Sequence, residues 1–254
     1  YYSIDWKINT EKNLSKNTIL SYKNDILEFA KFLGKNSFFS NNNKSIKNYI
    51  NYLSQNLSPR SHCRKLSSIK NFFLFLIDLK LIKSNPIDNF DFPKIPKQVP
   101  KFLKESEINT LIEKSYENLS FRGLRLTLLL EILYATGIRV SELVNIKLGD
   151  INDDFSSIMI KSKGGEQRIV PIFGKVSKVL KKYIFSICNH KLMNHQQYLF
   201  PSKSKFGHLT RNRFFQILKE LALKINLDPQ KVSPHVIRHS FASHLLGRGV
   251  DLRI

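Results

Sequence analysis

The sequence predicts a mainly α-helical protein with one small β-hairpin, an α+β chain in two domains, and three observations predict it. Apolar residues recur at helical spacing through most of the chain. A switch to short β-branched runs occurs once, on either side of Lys163-Gly164-Gly165-Glu166. Prolines crowd one stretch, at Asn85-Pro86, Phe92-Pro93, Ile95-Pro96 and Val99-Pro100, where the residue before each is pushed out of helix. Residues 1–84 are therefore expected to form a helical domain, 85–100 a stiff extended linker, and 101–254 a mixed domain.

The first helix should follow Ser15. Ile19, Tyr22, Ile26, Phe29, Ala30 and Leu33 share one face, and Gly34 ends it. The polar run 40–44 leads to a second helix with Ile46, Tyr49, Ile50 and Leu53 inward. Ser58-Pro59 opens a long third helix whose buried stripe is Leu66, Ile69, Phe72, Phe73 and Leu76. After the linker, Ser106 is expected to cap a helix reaching Leu119. Residues 124–135 form a core helix through Leu126, Leu129, Leu130 and Leu133. Thr136-Gly137 breaks it, and helix resumes over 139–145. Residues 158–160 and 169–172 are the hairpin strands. Helices follow at 174–188 and 211–225, and a last one begins at Pro234 with Ser233 as its cap.

Charge narrows the partner. The chain carries 41 Lys and Arg against 20 Asp and Glu, a formal +21. Residues 1–100 hold 16 basic and 7 acidic side chains, and residues 101–254 hold 25 and 13, so both halves are basic. An excess spread over two folded halves points to one shared polyanion, with nucleic acid ahead of an anionic membrane surface. A Lys- and Asn-rich coding bias would raise the same count. No uninterrupted apolar run is long enough for a membrane span, and Cys63 and Cys188 stand alone, which fits a reducing cytoplasm. Near the start of the third helix, Arg60, Arg64 and Lys65 cluster, with Lys70 further on. This basic face is expected to contact DNA phosphates rather than only water.

Four cationic residues stand apart by their settings. Arg139 follows the Thr136-Gly137 break, where a helix start would offer free N–H groups to an anion, with Glu142 one turn on to hold its guanidinium. His235 and Arg238 lie one turn apart in the first turn of the last helix. Alone, that pair fits a packed helix about as well as a phosphate site. Lys163 sits in the hairpin turn beside Gly164 and Gly165, placed to deliver a proton or to protect an edge strand. His235 and His239 have metal-ligand spacing, but Arg238 between them opposes a cation and no third ligand is indicated. No metal site and no cofactor is expected.

These residues resemble a known family. Residues 133–143, Leu-Tyr-Ala-Thr-Gly-Ile-Arg-Val-Ser-Glu-Leu, are similar to the first arginine box of tyrosine recombinases of the phage integrase superfamily. Lys163-Gly164 with Arg168-Ile169-Val170-Pro171 is similar to their catalytic hairpin, and residues 233–246 to their His-x-x-Arg box. The front half and the linker resemble the core-binding (SAM-like) domain and linker of the Xer type. The wording around His235, through Gly249-Val250-Asp251-Leu252-Arg253, leans to the XerD branch over XerC.

The resemblance implies a two-domain DNA clamp that cuts and rejoins DNA site-specifically through a 3′-phosphotyrosyl link. Arg139 and Arg238 would hold the phosphate oxygens, His235 would add a hydrogen bond, and Lys163 would protonate the leaving 5′ oxygen. It also implies a double-stranded recombination site as partner, a sister Xer recombinase in a tetramer, a DNA translocase, and a bacterial, nucleoid-associated role in chromosome dimer resolution, chromosome partition and cell division. The family's second His or Trp and its tyrosine nucleophile are expected beyond Ile254, so these 254 residues are read as a fragment inactive in cleavage. A mobile-element integrase of the same superfamily is the nearest alternative. A non-catalytic DNA-binding derivative is the alternative from another class.

Overall fold

Ser58 and Pro59 show how local chemistry sets the N-terminal unit. The Ser58 hydroxyl accepts the Ser61 N–H at 3.4 Å, and Pro59 takes the first helical position, where a missing N–H costs nothing. The computed structural model describes residues 16–34, 43–96, 102–162, 165–188 and 197–249. The chain divides into two units, Tyr1–Gln98 and Val99–Ile254.

The first unit contains α1 (Lys16–Leu33), α2 (Asn43–Asn56) and α3 (Pro59–Asp78). Their apolar stripes meet in one core of Ile26, Phe29, Leu33, Ile46, Tyr49, Leu53, Leu66, Ile69, Phe72, Phe73 and Leu76. Phe29 is its hinge point, 4.8 Å from the Tyr49 ring and 6.1 Å, edge-on, from Phe73. The proline-rich stretch does more than space two domains. Ile87 is buried in this core, and Phe90 packs against it. Asn85 turns the chain there: its Oδ1 accepts the Ile87 N–H at 3.0 Å, and its Nδ2 donates to the Lys70 carbonyl at 3.2 Å. Residues expected to start a stiff, extended linker thus pack into the helical unit. The apolar Ile87 and Phe90, set among the prolines, are the reason.

The second unit is built around α5 (Phe121–Thr136). Leu128, Leu129, Leu130, Ile132 and Leu133 are all buried, so this helix is covered on every side. It packs against α4 (Glu105–Tyr116), α7 (Lys175–Cys188) and α9 (Pro234–Gly247). Between them lie α6 (Val140–Val144), a 3₁₀ turn (Leu148–Asp150), and the strands β1 (Ser157–Lys161) and β2 (Gln167–Pro171). The strands pair antiparallel, from Ser157 opposite Pro171 to Lys161 opposite Gln167. α8 (Arg211–Lys224) precedes α9, and Thr210 caps it through its hydroxyl.

Two helix starts differ from expectation. Ser106 lies inside α4, which begins at Glu105, and the Glu107 carboxylate takes the Lys104 N–H at 2.7 Å. A charged acceptor at the third helical position outcompetes a serine at the second. α5 starts at Phe121 because the Ser120 hydroxyl accepts the Gly123 N–H at 3.2 Å. Among the described residues, no helix is long and apolar enough to cross a membrane.

Candidate active site

The site begins where α5 stops. Gly137 adopts a left-handed φ of 58°, and its N–H returns to the Leu133 carbonyl at 2.9 Å. A Cβ there would stand 2.2 Å from the Phe241 ring on α9, so the position needs glycine for space as well as conformation. That close approach lays α9 across the break.

Arg139 precedes α6 in extended backbone. The sequence led us to expect a free helix N-terminus here, open to an anion. The Arg139 N–H donates to Oε2 of Glu142 at 2.8 Å, so the donor at the cap position of this five-residue helix is taken within the protein. The same carboxylate accepts from the Arg139 guanidinium, Nη1 to Oε1, at 3.2 Å. Glu142 is buried, whereas the Arg139 side chain is 62% exposed, so the acid tethers one guanidinium nitrogen of an arginine that is otherwise largely open to solvent.

Two more guanidiniums reach this point. Arg168, on β2, donates Nη1 to Oε1 at 3.2 Å and Nη2 to Oε2 at 2.8 Å of Glu142. Arg238, half-buried on α9, donates to the Gly137 carbonyl. Burial opposes ionisation of Glu142, yet the Arg168 hydrogen bonds and the Arg139 N–H hold its carboxyl below the usual range. Burial and then the Arg139 charge push Arg238 downward, with Glu142 compensating in part. It remains a cation. Three guanidiniums against one carboxylate leave a net +2 at this spot. Such an excess of positive charge attracts an anion.

α9 is pinned along its length. Ser233 caps it by accepting the Val236 N–H at 3.2 Å, and Pro234 and Ile237 are buried. The Ser240 hydroxyl accepts the Leu103 N–H at 2.7 Å. Near the far end, the Tyr134 hydroxyl and His244 Nδ1 are 2.9 Å apart, and Arg248 pairs with Glu105 at 2.9 Å. With the helix held this way, Arg238 points into the cluster, while His235, one turn before it, is exposed. Lys163 lies outside the described residues. The strands flanking its turn are paired as far as Lys161 and Gln167.

The basic face expected on α3 is largely neutralised within its own unit. Arg64 forms a two-point pair with the buried Asp25, with Nη2 to Oδ1 at 2.9 Å, and Ser68 donates to the same carboxylate at 2.9 Å. Lys65 is buried against Glu28, with Asp25 at 3.7 Å. Lys70 pairs with Asp88 at 2.7 Å. Arg60, in the first turn of α3, is exposed. The partners of Arg64 and Lys65 sit on α1, nearly forty residues earlier, beyond the reach of local pattern. Arg168 is the site residue to which sequence reasoning gave no role of its own. A signal existed: Glu142 falls among Val140, Leu143 and Val144 on a buried helix, and a buried carboxylate needs more than one donor.

The class defined by fold and site is a mainly helical domain that clusters guanidiniums from a helix start, a hairpin strand and a second helix, side chains whose planar forks match the oxygens of an anion. Residues 101–254 match the phage integrase family, and residues 6–80 match the phage integrase N-terminal SAM-like domain. Tyrosine recombinase XerD of Rickettsia bellii (strain RML369-C) is 41% identical over 256 residues, covering 96% of this chain and 84% of that protein. XerD of Rickettsia prowazekii (strain Madrid E) is 40% identical over 258 residues, covering 96% and 83%. The XerH recombinase bound to difH substrate aligns with a TM-score of 0.71 at 21% identity, over 92% of this chain and 69% of that one. The Tn1549 transposon integrase in complex with circular intermediate DNA aligns with a TM-score of 0.71 at 20% identity, over 97% and 86%. The chain belongs to the phage integrase family and, within it, is an XerD-like tyrosine recombinase, a site-specific DNA strand transferase.

Proposed function

We propose that the Arg139–Glu142–Arg168–Arg238 cluster holds the scissile phosphodiester of a double-stranded recombination site. The observation that carries this reading is the net +2 beside a buried carboxylate, with the Arg139 side chain largely exposed. Arg139 and Arg238 bind the non-bridging oxygens, where negative charge grows as the phosphorus becomes five-coordinate. His235, at the exposed start of α9, donates one more hydrogen bond. Lys163 gives a proton to the departing 5′ oxygen, and a tyrosine hydroxyl attacks to form the 3′-phosphotyrosyl bond. The sequence resemblance puts that tyrosine C-terminal to the His-x-x-Arg box. The phosphodiester energy is kept in the covalent link, so rejoining needs no nucleotide cofactor.

In this reading the enzyme works in the bacterial cytoplasm at the nucleoid, pairs with a sister Xer recombinase in a tetramer, and resolves chromosome dimers with a DNA translocase. The XerD names of its relatives support that role over a mobile-element one. The test is covalent-adduct formation by the full-length protein on a nicked duplex site. Arg139→Ala and Arg238→Ala should each lower the cleavage rate by about 100- to 1000-fold. Near-normal adduct formation by either variant removes that arginine from the site.

A further inference from the structure

Glu142 receives more positive charge than Arg139 delivers. Arg168 meets it with a parallel fork, 3.2 Å to Oε1 and 2.8 Å to Oε2. Those are the two atoms Arg139 also uses: Oε1 accepts its guanidinium at 3.2 Å, and Oε2 its backbone N–H at 2.8 Å. Four donors therefore converge on one carboxylate whose side chain is 5% exposed. The fork also joins two separate pieces of chain, the start of α6 and strand β2.

We propose that Arg168 is a positioning residue, which through the shared carboxylate of Glu142 holds the Arg139 guanidinium and strand β2 in one fixed relation. A carboxylate with a single cationic partner draws that partner into its own two-point pair. Glu142 with only Arg139 would turn the guanidinium inward and occupy the donors the phosphate needs. Arg168 donates to both oxygens and leaves the Arg139 guanidinium attached by one nitrogen. Because Arg168 follows Lys163 by five residues in sequence, the fork also anchors strand β2, which begins four residues after that lysine. The inference rests on the reading of Arg139 as a phosphate-holding residue.

The experiment compares wild type, Arg168→Ala, Arg168→Lys and Arg139→Ala of the full-length protein in single-turnover cleavage of a nicked duplex site. Thermal unfolding and duplex affinity are measured on the same samples. Arg168→Ala should cleave about 100-fold more slowly with duplex affinity within about threefold, the effect of misplacing a group rather than losing a binding contact. Its pH–rate profile should also change, because Glu142 loses the partner that most lowers its carboxyl. The acid limb should move to higher pH, which a packing defect alone would not do. Arg168→Lys keeps the charge without the fork and should remain at least about tenfold slow. Should Arg168→Ala not fold, Arg168→Lys decides alone. A wild-type rate and acid limb in folded Arg168→Ala, or a wild-type rate in Arg168→Lys, overturns the inference. Arg139→Ala separates the two claims. If it cleaves normally, the phosphate reading falls; if it is inactive while Arg168→Ala is normal, only the positioning role falls.

Discussion

The Phe241 ring of α9 occupies the space a side chain at Gly137 would need, with a Cβ coming 2.2 Å from its edge. The residue that ends α5 and the helix carrying Arg238 are therefore fitted to each other, and Arg238 completes the contact by donating to the Gly137 carbonyl. Gly137→Ala adds about 1–2 kcal/mol of left-handed backbone cost and about 1–3 kcal/mol of overpacking. Its unfolding midpoint in urea should drop accordingly, and cleavage should fall with it as Arg238 is displaced. An unchanged midpoint would show that α9 does not sit this close.

On α3, Lys65 and Arg64 are bound to carboxylates of α1, and Arg60 is exposed. Arg60→Ala should lower the salt slope of duplex binding by about one, as expected for one lost phosphate contact. Asp25→Ala should instead destabilise the chain by about 1–3 kcal/mol, since it takes one counter-charge from the buried Lys65, the two-point acceptor from Arg64 and the acceptor of the buried Ser68 hydroxyl. Equal salt slopes for wild type and Arg60→Ala would take that residue off the DNA.

His62 is buried in the N-terminal unit, and its Nε2 has no hydrogen-bond partner among the described residues. Burial pushes its imidazole below the ordinary value. The unfolded chain therefore takes up a proton near pH 6.5 that the folded chain refuses. Stability is complete above that pH and declines as pH falls through it. Hydrogen exchange of α3 should speed up between pH 7.5 and 5.5 beyond the intrinsic change, and His62→Leu should flatten the trend. An equally steep trend in His62→Leu would assign it to another group.

Lys163→Ala should cleave poorly on an ordinary duplex and recover on one with sulfur at the 5′-bridging position. A thiolate leaves without a proton, so the general acid is no longer needed. Failure to recover would argue that Lys163 serves some other purpose.

What could be read from sequence divides by distance along the chain. Ser58-Pro59 and Ser233-Pro234 mark helix starts because the cap bonds only three residues away. Gly137 announces a break because only glycine enters left-handed backbone freely. Glu142 beside Arg139 was legible at the same range. Arg168 reaches Glu142 across 26 residues, and Arg64 reaches Asp25 across 39, so nothing local marks either pair. Ser106 misled because two capping groups competed within three positions, and the carboxylate of Glu107 won. Ile87 was hidden among prolines that looked like a linker, although its apolar side chain had somewhere to go.

The central claim is that Arg139 and Arg238 act by neutralising the charge of the scissile phosphate. It is tested most directly by removing that charge from the DNA. A nicked duplex with methylphosphonate at the scissile position lacks one non-bridging oxygen and its negative charge, so it should need one guanidinium fewer. Arg238→Ala, slowed by about 100- to 1000-fold on the ordinary duplex, should form the phosphotyrosyl adduct on this substrate at a rate approaching that of wild type. The same slowing on both substrates, with duplex binding and folding retained, would contradict the account.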